Sequence, residues 1–271
     1  AVDESRHLVI LGSDDGNVYA LDMFNGWRKW NFTTGGAVQS SPALGVWWRD
    51  YGAFHDVVFI GSNDGNIYML NRTSGAYLAN YTGGGPVRSS PALWSYDWPF
   101  HNAFTAQIYV GSGDFFQVLN VTITPTPSLS PLWNYSTGGL VESSPAKVLP
   151  LPDYPYFYSP VLYVGSNNGK VYSFDHTGSM IWSYQTWGAV KSSPAVDEGW
   201  VFVGSSDGNV YAFGTLMNVD TIAVWQHNTV AKERFDVWYS IWDDHTKSWW
   251  TPTGAEAAPI VYPWFHIQND M

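Results

Sequence analysis

Cysteine is absent from this chain of 271 residues. That excludes a disulfide-stapled scaffold, a thiolate-ligated zinc or iron–sulfur centre and a thiol nucleophile, although it leaves the compartment open. Charge is also scarce, at 13% of residues, about half the usual share. Positive charge is the scarcer sign: 12 Lys+Arg stand against 23 Asp+Glu, for a net charge of −11. A nucleic-acid binder concentrates Lys and Arg to displace counterions, so no nucleic-acid partner is expected. No apolar run approaches the roughly 18 residues that a membrane helix needs, and no charged-then-apolar leader opens the sequence. No transmembrane segment is therefore expected, and the start at Ala1 is read as a processed terminus or an excised domain. Gly-x-Ser-x-Gly, the Walker loop and His-Glu-x-x-His are likewise missing.

What is present is apolar and aromatic: 45% hydrophobic residues, with 16 Trp, 17 Tyr and 14 Phe, which rules out a disordered acidic tail. The sequence also repeats itself. Gly12-Ser13-Asp14-Asp15-Gly16-Asn17-Val18-Tyr19 returns from Gly61, Gly165 and Gly204, with a worn copy at Gly111. Each copy follows an apolar run such as Leu8-Val9-Ile10-Leu11, and most centre on Asp-Gly or Asn-Gly. Two β-type runs joined by such a dipeptide predict a tight hairpin, because both turn residues tolerate positive φ. Asp15, Asp64, Asn168 and Asp207 are accordingly read as turn residues and not as metal ligands or catalytic groups.

A second motif keeps step: Ser40-Ser41-Pro42-Ala43, Ser89-Ser90-Pro91-Ala92, Ser143-Ser144-Pro145-Ala146 and Ser192-Ser193-Pro194-Ala195. Ala255-Glu256-Ala257-Ala258-Pro259-Ile260 aligns as a fifth copy. The prolines are spaced by 49, 54, 49 and 65 residues, and passing from Pro259 round to Pro42 adds 54. This near-constant period predicts an all-β chain forming a single β-propeller over 1–271. Its four-stranded antiparallel blades fall near 7–36, 38–85, 87–139, 141–188 and 190–253, and residues 255–262 close the N-terminal blade. Each Ser-Ser-Pro-Ala segment is taken as an inner strand and Trp30-Asn31-Phe32-Thr33 or Trp182-Ser183-Tyr184-Gln185 as an outer one.

The string Ala20-Leu21-Asp22…Gly26…Trp30, with its variants at Asp175…Gly178…Trp182 and at Trp133, resembles the tryptophan-docking repeat of quinoprotein (PQQ-binding-like) β-propellers over residues 7–214. The resemblance implies that the Trp of one blade packs on the next. It also has departures. Five blades are fewer than the family's usual six to eight, Ala79 stands at a docking position, and Thr124-Pro125-Thr126-Pro127-Ser128 interrupts a hairpin. Residues 215–253 contain two strand-like runs, Thr221–Trp225 and Phe235–Trp242, but no further Ser-Ser-Pro copy, so an enlarged fifth blade is favoured over a sixth. Catalytic members of the family hold their cofactor between a Trp and a disulfide of adjacent cysteines, with calcium and an Asp base. Without Cys or a carboxylate clear of a turn, the resemblance implies the non-catalytic branch, which uses the repeat as a binding platform. No enzyme activity, cofactor or metal is expected. Asp243-Asp244-His245 is read as a surface turn, while carboxylates for glycoside cleavage drawn from separate blades stay open.

Two surfaces stand out. Gln39, Arg88, Glu142, Lys191 and Glu256 precede the inner-strand motifs and predict a ring at one level of the central channel, self-neutralising in preference to ligand-binding. The loops after the inner strands, with the C-terminal tail, hold sixteen aromatics in about 44 residues. Trp47, Trp48, Tyr51, Trp94, Trp98, Phe100, Tyr156, Tyr262, Trp264 and Phe265 are the candidate partner-binding residues among them. The alternatives for these aromatics are a satellite core under the loops, a subunit contact or saccharide stacking. Asn-x-Ser/Thr sequons occur at Asn31, Asn71, Asn80, Asn120 and Asn134, three of them at the same outer-strand place. The expectation is a non-enzymatic extracellular or cell-surface propeller, a structural or filament subunit that self-assembles or meets other surface proteins. The alternative is a glycan-binding or glycan-cleaving propeller.

Overall fold

The computed structural model describes residues 1–45, 57–96, 105–123, 126–148, 160–197, 200–214, 223–228, 238–243 and 248–250, with backbone alone for 95–96, 105 and the last three stretches. Among the described residues, twenty-two strands form five antiparallel sheets. The first contains β1 (Val2–Asp3), β2 (Leu8–Gly12), β3 (Asn17–Asp22) and β4 (Arg28–Thr33). The second contains β5 (Ala43–Gly45), β6 (Val57–Gly61), β7 (Asn66–Asn71) and β8 (Tyr77–Thr82). The third is β9 (Ala92–Tyr96), β10 (Thr105–Ser112), β11 (Phe115–Thr122) and β12 (Ser128–Ser136). The fourth is β13 (Ala146–Val148), β14 (Val161–Gly165), β15 (Lys170–Phe174) and β16 (Met180–Gln185). The fifth runs through β17 (Ala195–Asp197), β18 (Trp200–Gly204), β19 (Asn209–Gly214), β20 (Ala223–Asn228), β21 (Trp238–Asp243) and β22 (Ser248–Trp250). In every sheet the strands pair in chain order, which is the predicted blade, and the last sheet has six strands.

Two details differ from the sequence reading. The inner strands begin at alanine, so Ser-Ser-Pro leads into the strand and is not part of it. Proline has no N–H for a ladder, and serine hydroxyls replace ladder bonds there. In the first sheet the inner place assigned to residues 255–262 is held by β1, paired Val2 to Val9 and Asp3 to Leu8. The signal lay in the sequence, since Ala1-Val2-Asp3-Glu4 repeats Ala195-Val196-Asp197-Glu198. Residues 255–262 lie outside the described residues.

Among the described residues the core is four layers, one between each pair of successive sheets. Ile10, Val18 and Trp30 meet Val58, Ile60 and Leu70. Phe59, Ile67 and Met69 meet Ile108, Val110 and Leu119. Tyr109, Phe116 and Val118 meet Leu162, Val164 and Phe174, while Tyr163, Val171 and Trp182 meet Val203, Tyr211 and Phe213. A sheet covered on both faces should read as a continuous apolar run. β6 and β14 do so and are buried at every residue, whereas β2 and β18, in the terminal sheets, alternate between buried and half-exposed.

Tryptophan docking joins the layers as the resemblance implied. Trp30 donates its indole N–H to the Arg72 carbonyl at 3.1 Å, and Trp133 donates to His176 at 3.0 Å. Each ring lies over a glycine with positive φ: a Cβ on Gly75 (φ 71°) would sit 2.5 Å from Trp30, and one on Gly178 (φ 92°) 2.7 Å from Trp133. The departures compensate each other. Ala79 and Leu129 share one buried cluster, so the sheet that lost its Trp faces the sheet whose hairpin carries the Thr-Pro insertion. A buried ion pair adds a further tie: Arg72 Nε lies 3.1 Å from Asp3 Oδ2, both side chains 3% exposed.

Trp30→Phe keeps a ring but orphans the Arg72 carbonyl and should cost about 1–2 kcal/mol, while Gly75→Ala, which also strains the backbone, should cost about 2–4; urea midpoints measure both. Burial alone would push the Asp3 carboxyl up, but the Ser5 hydroxyl and the Arg72 charge hold it below the usual range. A depressed folded value gives stability that is present above the unfolded value of about 3.9 and lost as pH falls through the folded one. Asp3→Asn should flatten that acid limb in melting curves taken between about pH 5 and 2.

Candidate functional site

The lead-in to each inner strand is a fixed hydrogen-bonding device. In three of the four Ser-Ser-Pro segments the first serine accepts a backbone N–H from its own sheet, Gly61 to Ser40 at 3.1 Å, Gly165 to Ser143 at 3.1 Å and Gly204 to Ser192 at 2.8 Å. The Ser89 hydroxyl in the third sheet is buried without a hydrogen-bond partner among the described residues. The second serine reaches across sheets. Ser41 N–H donates to Ser90 Oγ at 2.9 Å, Ser90 N–H to Ser144 Oγ at 2.9 Å, and Ser144 N–H to Ser193 Oγ at 3.1 Å. This relay sets the spacing of the inner edges.

On that relay the sequence placed its charged ring, and three members meet. Arg88 Nη1 lies 2.7 Å from Glu142 Oε1 and Lys191 Nζ lies 3.3 Å from Glu142 Oε2. Asn167 donates to the same Oε2 at 3.0 Å. The Asn167 bond and then the Arg88 bond pull the Glu142 carboxyl down to about 2. Gln39 stands apart and accepts from Asn63 at 3.2 Å, and Glu256 lies outside the described residues. Sequence reading missed Lys147, which crosses to the Leu93 carbonyl at 2.5 Å. Two cations sharing one carboxylate leave the described part of the ring with a net charge of +1.

The turn residues are committed to the scaffold. Asp64 Oδ1 accepts the Asn66 N–H at 2.9 Å, and Oδ2 accepts both Tyr68 O–H and the Gly35 N–H of the preceding sheet at 2.7 Å. Asp207 does the same with Asn209, Tyr211 and Trp187 at 2.9, 2.8 and 2.9 Å. Among the described residues, no group of three or more His, Asp or Glu could hold a metal ion. An open cavity of about 500 Å³ lies where the first sheet lacks a Ser-Ser-Pro lead-in, lined by Ala1, Gly12, Asp14, Gln39 and Ser41.

Of the ten partner-binding candidates, only Trp94 is described; it sits half-buried on β9 against the Tyr109 cluster. Trp47, Trp48, Tyr51, Trp98, Phe100, Tyr156, Tyr262, Trp264 and Phe265 lie outside the described residues. Four exposed aromatics went unnoticed in the sequence: Trp187 at 89%, Trp27 at 76%, Phe24 at 74% and Tyr77 at 53% exposure. The available signal was departure from the repeat, since Trp187 replaces Gly35, Gly84 and Gly138, and Trp27 replaces Ala76 and Ser179.

The sequons divide. Asn31, Asn80 and Asn134 are exposed on outer strands, while Asn71 and Asn120 are half-buried. Their pattern has a structural use as well: Thr33 and Thr82 donate to Asn17 and Asn66 across the hairpin at 2.6 and 2.8 Å. Asn71 accepts from the Thr73 and Ser74 N–H groups in a turn.

A family model described as outer membrane protein assembly factor BamB matches residues 131–236. This stretch is built of PQQ-like β-propeller repeats. Solved structures agree on the fold. BamB from Moraxella catarrhalis is 15% identical, with 90% of this chain and 81% of that one covered at a TM-score of 0.54. The computationally designed Ika8 protein is 14% identical, covering 90% and 70% at 0.52. Sqt1 from Saccharomyces cerevisiae is 15% identical, covering 87% and 65% at 0.56. No curated protein matches the chain in sequence. In propeller terms each sheet is a blade and the serine relay follows the inner strands.

Glu142→Gln should leave Arg88 and Lys191 without a counter-charge and cost about 1 kcal/mol after allowance for solvent screening. Because the folded Glu142 value is depressed, the wild-type advantage should hold above the unfolded value of about 4.3 and vanish as pH falls through about 2. Paired thermal melts at neutral and acid pH check both the size and the sign.

Proposed function

We propose that the chain is a non-enzymatic interaction module, an extracellular or cell-surface propeller subunit that assembles with its own kind or with other surface proteins. The observation that carries this reading is the exposure of aromatics where the repeat departs from itself. Trp187 and Trp27 replace Gly, Ala or Ser and stand in solvent at 89% and 76% exposure. A large apolar ring that the blade does not need for packing is what a partner surface uses. The sixteen loop and tail aromatics extend the same argument in sequence.

Non-catalytic character is supported by the fate of the carboxylates: those of Asp64, Asp207 and Glu142 are taken up by scaffold donors. The matching family is described as an assembly factor, which accords with an interaction role. Sequon asparagines exposed at one level of three outer strands support a glycosylated surface protein. A glycan is the second reading, favoured by the exposed indole of Trp187, whose backbone N–H is held by the Asp207 carboxylate.

Trp187→Gly with Trp27→Ala restores the residues that other blades carry. A second variant replaces Trp47, Trp98 and Trp264 by Ala together. Light scattering should show each weakening assembly by about tenfold or more with an unchanged unfolding midpoint. Loss of folding would make these aromatics core residues instead, and monomers that bind a glycan array would move the assignment to the second reading.

A further inference from the structure

At three joints between successive blades, the link that leaves the outer strand reads Thr-X-Gly and lies against the hairpin of the following blade: Thr34-Gly35-Gly36, Thr137-Gly138-Gly139 and Thr186-Trp187-Gly188. Both sides of X are held alike. The threonine hydroxyl donates to the carbonyl of the glycine after X at 2.7 Å in all three. Two residues past X, the carbonyls of Ala37, Leu140 and Ala189 accept the hairpin N–H groups of Asn63, Asn167 and Ser206 at 2.8, 2.9 and 2.8 Å.

The peptide between Thr and X is the part that differs, and it follows the hairpin residue facing it. Asp64 and Asp207, acceptors only when ionised, take the N–H of X, from Gly35 at 2.7 Å and from Trp187 at 2.9 Å. Asn168 instead donates its amide N–H to the carbonyl of Thr137. The tyrosine hydroxyl reverses with it: Tyr68 and Tyr211 donate to Asp64 and Asp207, whereas Tyr172 accepts from Asn168. The backbone records the same reversal. Gly138 has φ 76°, while neither Gly35 nor Trp187 has a positive φ.

A peptide turned over between two otherwise fixed residues is the change that separates a type I from a type II turn, and the second form requires positive φ at the residue after the peptide. Glycine takes that conformation freely, whereas a tryptophan there is strained. Hairpin chemistry thus decides what the link can display. Opposite an acid, X keeps an ordinary φ and can carry a side chain; opposite an amide, X is held to glycine. Free space alone gives the opposite ranking, because a Cβ on Gly138 would meet nothing within 4 Å and one on Gly35 would come within 3.2 Å of Asp64. Trp187 stands opposite an acid, and its side chain is the 89% exposed one.

We infer that Asp207 is the positioning residue of the partner surface on this face of the propeller. Its carboxylate holds the Thr186–Trp187 peptide with the N–H turned to the hairpin, and so fixes the direction in which the indole leaves the blade. The second blade supplies the matched case without the indole. Asp64 and Asp207 each accept the N–H two residues on, from Asn66 and Asn209, at 2.9 Å, and Gly35 stands where the later link has Trp187. An indole already set by a backbone bond loses less freedom when a partner covers it than one on a freely turning peptide.

This role rests on the reading of Trp187 as a partner residue, and the variants separate the two. Asp64→Asn and Asp207→Asn remove one charge each from equivalent places. In urea titrations Asp64→Asn should lower the folding equilibrium constant by no more than about threefold, because Gly35 can follow the peptide over. Asp207→Asn should lower it about tenfold or more, and adding Trp187→Gly should bring the loss back to the Asp64→Asn level. Light scattering, in conditions where every variant is folded, should show assembly weakened about tenfold by Asp207→Asn and unchanged by Asp64→Asn. At the joint of the third and fourth blades, Gly138→Ala should cost about tenfold in the folding constant, and Asn168→Asp in the same chain should recover most of it. Equal losses from the two acids, a loss at Asp207 that Trp187→Gly does not relieve, or a harmless Gly138→Ala would overturn the inference. So would full assembly of Asp207→Asn beside weakened assembly of Trp187→Gly. Full assembly of Trp187→Gly itself would remove this residue from the partner surface and end the role of Asp207, while a surviving coupling between the two would leave the peptide rule standing.

Discussion

A sheet that is apolar on both faces needs two neighbours, and the rest of this structure depends on that requirement. β6 and β14 are buried at every residue because a blade lies on each side of them. Burial of this kind supplies the bulk of the stabilisation, but it is not directional. Direction comes from the polar parts: the indole N–H fixed on one carbonyl, the serine relay at the inner edge, and the hairpin carboxylate that reaches back one blade. The apolar layers hold the blades together, and the hydrogen bonds fix their angle and height.

Much of the fold was legible in the sequence because its causes are local. The Asp-Gly and Asn-Gly turns adopt positive φ at the glycine and not, as the sequence suggested, at the residue before it as well; β-branched runs demand strands, and a Trp at fixed spacing after a turn glycine demands a docking partner. The Ser-Ser-Pro run misled because a proline-containing segment beside a strand resembles part of one until its hydroxyls are seen doing the work of ladder bonds. β1 was missed for another reason. Two residues carry too little periodicity to register, and only comparison of Ala1-Val2-Asp3-Glu4 with Ala195-Val196-Asp197-Glu198 exposes them.

The candidate surfaces were legible to different degrees. The ring of Arg88, Glu142 and Lys191 followed from position in the repeat, since equivalent residues fall at one level. Which of its members would touch did not follow, because that depends on side-chain length and on Asn167, a hairpin residue outside the motif. Exposed aromatics such as Trp187 were hidden in a sequence rich in Trp. They separate from the docking tryptophans only when each blade is compared with its siblings. The same comparison explains Ala79, a loss on one blade that is matched by an insertion on the blade it faces.

The serine relay has a consequence for how such a chain changes over evolutionary time. The lead-ins at Ser90 and Ser144 each donate to the following blade and accept from the preceding one, so an internal copy carries both ends of the same bond. A tandem duplication of one blade inserts a unit that already fits the neighbours on either side, and a deletion leaves two ends that still match. Blade number is thus free to drift while the joint stays constant. Individual blades can lose a docking tryptophan or lengthen a hairpin because the relay continues past them.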